Sequence, residues 1–202
     1  IEIVTKPDIN SPEEAKIFLE TIKTILEYIE VSDCRMQEGS LRADVNLSLK
    51  PEGSNMPGVR TEMKNINSLR AVQRAAQAEA ERQARILDSG QKVYQETRRW
   101  DDSKGESFLM RDKEESMDYR YFPEPDLPPV CLDDDFINTI RKSMPELPRM
   151  RRERYMNQYG IPKYDADLIT QNRLLADIFE KASEICGNPK LVSNWIMTDI
   201  MK

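Results

Sequence analysis

The residues best suited to chemistry lie between Glu38 and Asn65, and they sort by position as well as by type. Arg42, Asp44, Asn46, Ser48 and Lys50 alternate with Leu41, Ala43, Val45, Leu47 and Leu49. Arg60, Glu62 and Lys64 alternate with Val59, Thr61 and Met63. Side chains along a strand point to opposite faces in turn, so each run predicts one apolar face and one face of mixed charge. A surface of carboxylates, cations and an amide is either a solvated exterior, where opposite charges pair across strands, or the floor of a polar active site. The sequence holds no histidine. A Ser-His-Asp triad, a Cys-His pair and a His-ligated metal are therefore excluded within this chain, and its chemistry must use Asp, Glu, Lys, Arg, Tyr or Cys.

The elements that must position these groups are legible around them. The linker Pro51 to Gly58 carries prolines and glycines, which predicts that the two runs pair as an antiparallel hairpin. Ile1, Ile3 and Val4 read as a strand-like run with Thr5 and Lys6 at its end. Ser11-Pro12-Glu13-Glu14 predicts a helix start with a capping box. The apolar stripe Ala15, Phe18, Leu19, Ile22, Leu26 and Ile29 carries that helix to about Glu30. Asn67-Ser68 predicts the cap of a second helix, Leu69 to about Ser89, closed by Gly90. Its apolar face is thin: Leu69, Val72, Ala76, Ile86 and Leu87. Lys92 to Trp100 reads as a strand, joined by the turn at residues 101–105 to a short strand from Ser107 to Arg111. The proline-rich stretch Asp118 to Pro129 predicts an extended segment with Tyr119, Tyr121 and Phe122 packed inward. Beyond about Leu132 the pattern is helical, punctuated by Pro145, Pro148, Pro162 and Pro189. A boundary near residue 130 separates the two styles.

Bulk composition narrows the classes. The chain has 202 residues, a formal net charge of −6, 33% charged and 39% hydrophobic residues, which is ordinary for a soluble globular protein. No apolar run approaches the roughly 20 residues needed to cross a bilayer. Cys34, Cys131 and Cys186 are few, distant and odd in number, which predicts reduced thiols acting as small buried hydrophobes in a cytosol-like compartment. The acidic balance argues against a body that grips nucleic acid chiefly through phosphates. One basic cluster, Arg149, Arg151, Arg152 and Arg154, reads either as an exposed helix face interspersed with Glu153 or as an RNA contact. The opening without Met, inside an apolar run, predicts a piece of a longer protein.

Six strings occur in order: VTKPDI (4–9), EGSLRADVN (38–46), EMKNINS (62–68), QETRRWD (95–101), DYRYFPEPDLPP (118–129) and YDADLIT (164–170). Together they resemble the B subunits of the aspartyl/glutamyl-tRNA amidotransferases, the GatB family, across essentially the whole chain. The resemblance implies an α+β catalytic cradle, with a mixed and largely antiparallel sheet, over residues 1–130, followed by an all-α helical domain over 131–202. It implies a cytoplasmic ligase that phosphorylates the side-chain carboxylate of Glu-tRNA(Gln) or Asp-tRNA(Asn) with ATP and Mg²⁺. Ammonia from the partner amidase, the complex's A subunit, then displaces the phosphate. The same complex also holds a small C subunit. The resemblance further implies that the family's metal-binding His and glutamates lie upstream of Ile1, so the isolated chain is expected to be inactive. Ala43 stands where relatives often carry Cys, on the apolar face.

Phosphoryl transfer asks the protein mainly for positioning and positive charge. Under the resemblance, the catalytic candidates are Glu38, Arg42, Asp44, Glu62 and Lys64. Arg42 and Lys64 suit phosphate oxygens, while Glu38, Asp44 and Glu62 suit Mg²⁺, which needs only one or two carboxylates beside its waters. A carboxylate can also take a proton from NH₄⁺. Asn46 and Asn65 are expected to orient substrate, and Thr5 and Lys6 to line the same cavity. Glu62 and Arg42 alternatively pair across strands, and Glu96 with Arg98 reads as a structural ion pair. Arg120 and Glu124 read as pins for the proline-rich segment. The competing reading is a non-catalytic tRNA-docking module, carried by the Arg149–Arg154 cluster.

Overall fold

A computed structural model describes residues 1–54, 56–112 and 125–201. The aromatics Tyr119, Tyr121 and Phe122, and the pair Arg120 and Glu124, lie outside the described residues. Among those described, the fold is mixed α+β, with one four-stranded sheet and seven α-helices. Ile1–Thr21 with Cys34–Pro125 form one compact unit, and Ile22–Asp33 with Asp126–Lys202 form another.

The sheet belongs to the first unit. Its strands β1 (Ala43–Leu47), β2 (Thr61–Ile66), β3 (Glu96–Asp101) and β4 (Glu106–Asp112) stand in that spatial order. β1–β2 and β3–β4 are antiparallel hairpins, while β2–β3 is parallel. A parallel step needs a crossover, supplied here by the helix Leu69–Asp88, which is the second in chain order (α2) after α1 (Pro12–Tyr28). Ser68 caps α2 by accepting from the Ala71 N–H at 3.0 Å. Ser11 caps α1 by accepting from the Glu14 N–H at 3.1 Å. The Glu14 carboxylate reaches back one residue further than a capping box requires, to the Asn10 N–H at 2.7 Å. Gly58 closes the β1–β2 linker by close approach, because a Cβ there would lie 1.7 Å from the Leu49 carbonyl oxygen. Met63, Ile66, Ala71, Val72, Ala75 and Trp100 form the core, with Ala15, Leu19, Ala43, Val45 and Leu47 packed against it.

Four expectations need correction. The opening run is not a strand: residues 1–6 pair with no strand among the described residues, and Ile1, Ile3 and Val4 are exposed. The strand expected over Lys92–Trp100 begins only at Glu96. The buried face of α2 is Ala71, Val72, Ala75, Ala76, Glu79 and Gln83, whereas Leu87 is exposed. Small alanines let the helix sit close to the sheet, so two long polar side chains rather than leucines fill the remaining space. Of the cysteines, only Cys34 is buried; Cys131 and Cys186 are exposed.

In the second unit the described elements are helices: α3 (Asp134–Ser143), α4 (Pro148–Tyr159), α5 (Lys163–Ile169), α6 (Arg173–Cys186) and α7 (Pro189–Trp195). Asn172 separates α5 from α6. Its side chain accepts from the Leu175 N–H at 3.0 Å, capping α6 afresh. Tyr155, Ile161, Ala166, Ile169, Ala176, Phe179, Val192 and Ile196 form this unit's core. No helix among the described residues is long and apolar enough to cross a membrane.

Candidate active site

α2 covers one face of the sheet and leaves the other polar. On the open face the pairing register sets Asn46 opposite Glu62, Glu62 beside Thr97, and Lys64 beside Arg99. The alternation expected along β1 and β2 therefore holds, and it extends onto β3. Lys64 is the hub. Its Nζ donates to Asp44 Oδ2 at 2.6 Å and lies 3.2 Å from Glu62 Oε1. The hydrogen bond to Asp44 is the largest influence on the ammonium and holds its pKa above the ordinary 10.5, outweighing partial burial. Thr97 is buried and its hydroxyl donates to the second oxygen, Glu62 Oε2, at 3.0 Å. Asp44, Lys64 and Glu62 thus form a carboxylate–ammonium–carboxylate bridge across two strands. Arg42 does not pair with Glu62; its Nη2 lies 3.4 Å from where a Gly39 Cβ would stand, and it meets no acid among the described residues.

Asn65 departs from the strict alternation. The register slips between Ala43 and Val45, where β2 carries an extra residue, and Asn65 takes φ +67° to absorb it. Its side-chain amide donates to the Trp100 carbonyl at 3.0 Å, tying β2 to β3 at the bulge. It lines a cleft of about 410 Å³ together with Gln37, Asn67, Ser68, Arg99 and Asp101. Arg99, exposed, pairs with no acid among the described residues. Asp101 turns away from such service. Its carboxylate accepts from the Ser103 hydroxyl at 2.6 Å and from the Ser103 and Lys104 N–H groups, and the hydroxyl bond leads in holding its pKa low.

Other candidates stand apart. Glu38 sits in a 3₁₀ turn, Met36–Glu38, paired with Arg35 at 3.0 Å and largely exposed. Asp44 and Glu62 are both held by Lys64. Among the described residues, no three of His, Cys, Asp and Glu are grouped so as to hold a metal ion. The expected Mg²⁺ set of Glu38, Asp44 and Glu62 is thus not assembled by these residues. Thr5 and Lys6 are exposed in an irregular segment that pairs with no strand among the described residues. The arginine cluster is not a free cationic patch. Arg149 pairs with Glu153 at 3.1 Å and Arg152 with Asp167 at 2.9 Å. Arg154 bridges Glu146 at 2.5 Å and Glu180 at 2.6 Å, and Arg151, buried, binds Asp177 and lies 3.1 Å from Glu180. Acids four or more positions away claim each guanidinium.

Beneath α2 lies a second polar network that the sequence does not announce. Glu79, 1% exposed, accepts from Thr61 Oγ1 at 2.7 Å, from Gln83 Nε2 at 3.0 Å, and from Arg82 through both Nε and Nη2 at 2.8 Å. Burial alone would raise its pKa, but the bonds from Arg82, Thr61 and Gln83 win and hold it below the ordinary 4.5. Gln83 also accepts from the Leu49 N–H at 3.0 Å and donates to the Leu47 carbonyl at 3.2 Å, extending the end of β1 onto the helix. Arg98 binds Glu96 at 2.6 Å and the Ser107 carbonyl and hydroxyl at 2.8 Å. The structural ion pair expected of Glu96 and Arg98 is present. Thr97 and Arg99 of the open face escaped the sequence reading, although their alternation with Glu96, Arg98 and Trp100 was there to signal it.

The fold is an α+β unit with a helix on one face of its sheet and polar side chains on the other, and comparison with known families gives its class. Residues 1–138 match the family described as the GatB/GatE catalytic domain, and the chain belongs to it. More particularly, it is a GatB-family chain. It is 58% identical over all 202 residues to the B subunit of the aspartyl/glutamyl-tRNA(Asn/Gln) amidotransferase of Caldicellulosiruptor bescii. It is 52% identical over the same 202 residues to the corresponding B subunit of Thermoanaerobacter pseudethanolicus. In both cases the chain spans 42% of the relative's length. The family match ends at residue 138 and assigns no separate all-α domain to the helices that follow it.

Proposed function

We propose that this chain forms part of the reacting surface of a tRNA-dependent amidotransferase. The whole protein would transfer the γ-phosphoryl group of ATP to the side-chain carboxylate of Glu-tRNA(Gln) or Asp-tRNA(Asn), releasing ADP. Ammonia would then attack the acyl phosphate, forming the amide and expelling phosphate. The observation that carries this reading is the Asp44–Lys64–Glu62 bridge on the open face of a family catalytic sheet. Lys64, kept cationic by its two carboxylates, supplies positive charge beside a phosphoryl oxygen. Arg42 and Arg99, which meet no acid among the described residues, are placed to bind phosphate oxygens. Glu62, fixed by Thr97 and Lys64, suits removal of a proton from NH₄⁺ or from the attacking amine. Asn46, opposite Glu62, suits orientation of the substrate carboxylate. Mg²⁺, when bound with ATP, would neutralise phosphate charge. Because Lys64 holds both Asp44 and Glu62, the ion's ligands would come from elsewhere in the whole protein.

The reaction implies partners: an amidase that releases ammonia from glutamine, a small third protein of the same complex, and a compartment containing charged tRNA. The relatives' names, as B subunits of amidotransferases, support that assembly. The test is amide formation on misacylated tRNA by the full-length protein in its complex, with ATP and either glutamine or ammonium. Glutaminyl- or asparaginyl-tRNA is the expected product with both nitrogen sources. Failure with both, on both tRNAs, overturns the proposal.

A further inference from the structure

We propose that Thr97 is a positioning residue that holds the Glu62 carboxylate in its reactive orientation, an inference that rests on the function proposed above. Three observations converge on it. Thr97 is paired in register with Glu62 across the parallel β2–β3 step, so the two side chains stand side by side on the open face. Thr97 is 1% exposed, and its Oγ1 donates to Glu62 Oε2 at 3.0 Å. Lys64 holds the other oxygen, Oε1, at 3.2 Å. A flexible glutamate gripped at both oxygens from two directions has its terminal torsion fixed. Threonine suits the task because its β-branch restricts χ1, so the hydroxyl direction is set by the strand itself.

Thr61 supplies an internal contrast. It is the chain neighbour of Glu62, yet its hydroxyl points to the covered face and donates to Glu79 at 2.7 Å. Two buried threonines on adjacent strands thus bond two different glutamates: Thr61 a carboxylate sealed beneath α2, Thr97 one on the working surface.

The experiment compares Thr97→Val, Thr97→Ser and Thr61→Val in the full-length protein within its complex, with ammonium as nitrogen donor. Misplacing a reacting group by about 1 Å costs on the order of a hundredfold in rate, and loss of one of two grips is expected to lower kcat about tenfold or more. Thr97→Val should show that fall with KM for misacylated tRNA within about twofold of the parent, and Thr97→Ser should recover most of it. Thr61→Val should instead lower thermal stability and leave kcat per folded molecule near the parent value. The inference is overturned if Thr97→Val keeps kcat within about twofold, if it changes KM alone, or if Thr97→Ser is as impaired as Thr97→Val. Should Thr97→Val not fold, Thr97→Ala against Thr97→Ser decides by the same criteria. Glu62→Gln separates the two levels. An inactive Glu62→Gln beside an indifferent Thr97→Val sinks the positioning role alone, whereas a fully active Glu62→Gln sinks the proposed site itself.

Discussion

The two faces of the sheet carry the same kinds of groups in opposite circumstances. Beneath α2, Glu79 receives hydrogen bonds from three side chains and is sealed from water. On the open face, Asp44 and Lys64 bridge with more than a third of each side chain exposed. Both networks hold carboxylates and cations within about 3 Å of one another, yet they do different work. The covered network locks helix to sheet, since Gln83 and Glu79 tie α2 to the ends of β1 and β2. The other is graded in exposure, from buried Thr97 through Glu62 at 17% to the outer pair of Asp44 and Lys64. Charge and distance are alike in the two networks; what differs is burial, complete at Glu79 and partial at Asp44 and Lys64.

The largest effect should come from breaking the covered face. Glu79→Ala leaves Arg82 and Arg98 without their shared carboxylate and strands the Thr61 and Gln83 donors. Removing one partner from a buried ion pair costs about 3–5 kcal/mol. Hydrogen exchange in peptides covering β2 and α2 should accelerate accordingly, and unchanged protection would dissolve the contrast between the faces.

The same carboxyl predicts an acid response. Its folded pKa lies below the ordinary 4.5, so its contribution to stability is complete above that value and is lost as pH falls through the folded pKa. Thermal unfolding followed below pH 4.5 should show a steeper loss of stability in the parent than in Glu79→Gln. Parallel slopes would mean that Glu79 is not held in its ionised form. A smaller effect concerns the arginines. Because Arg149 and Arg152 are already paired with Glu153 and Asp167, their replacement by Ala should leave the salt dependence of tRNA binding nearly unchanged. A phosphate contact would instead reduce the slope by about one per residue. A slope reduced by one or more would restore the docking reading.

The sequence was most legible where local chemistry decides structure. Ser11 and Ser68 announce α1 and α2 because an N-cap acts within three residues. The alternation in β1 and β2 survives because one face must be buried. It fails at Asn65, where a bulge inserts one residue without a glycine to mark it. It also fails at Ile1 to Val4, where apolar alternation finds no neighbouring strand among the described residues. Glu79 and Gln83 were invisible because a helical wheel places polar residues outside by default. Only the closeness allowed by Ala71, Ala75 and Ala76 brings their polar ends to Thr61 and the edge of β1. The open site was half legible. Asp44, Glu62 and Lys64 meet as the alternation suggests, but Glu38, Thr5 and Lys6 do not join them, since no local rule fixes how irregular segments return to a sheet. The ion pairs of the arginine cluster were illegible for a related reason, because the partners Asp177 and Glu180 come from a helix more than twenty residues away.

The most direct measurement compares Glu62→Gln with Glu79→Gln in the full-length complex, recording kcat with ammonium as nitrogen donor and thermal stability on the same preparations. The two-face account predicts that Glu62→Gln loses about a hundredfold or more in kcat, the scale seen when a positioned acid–base group is removed, with its unfolding midpoint nearly unchanged. Glu79→Gln should lower the midpoint while keeping kcat per folded molecule near the parent value. A fully active Glu62→Gln, or a Glu79→Gln that folds stably and cannot form the amide, would contradict the account.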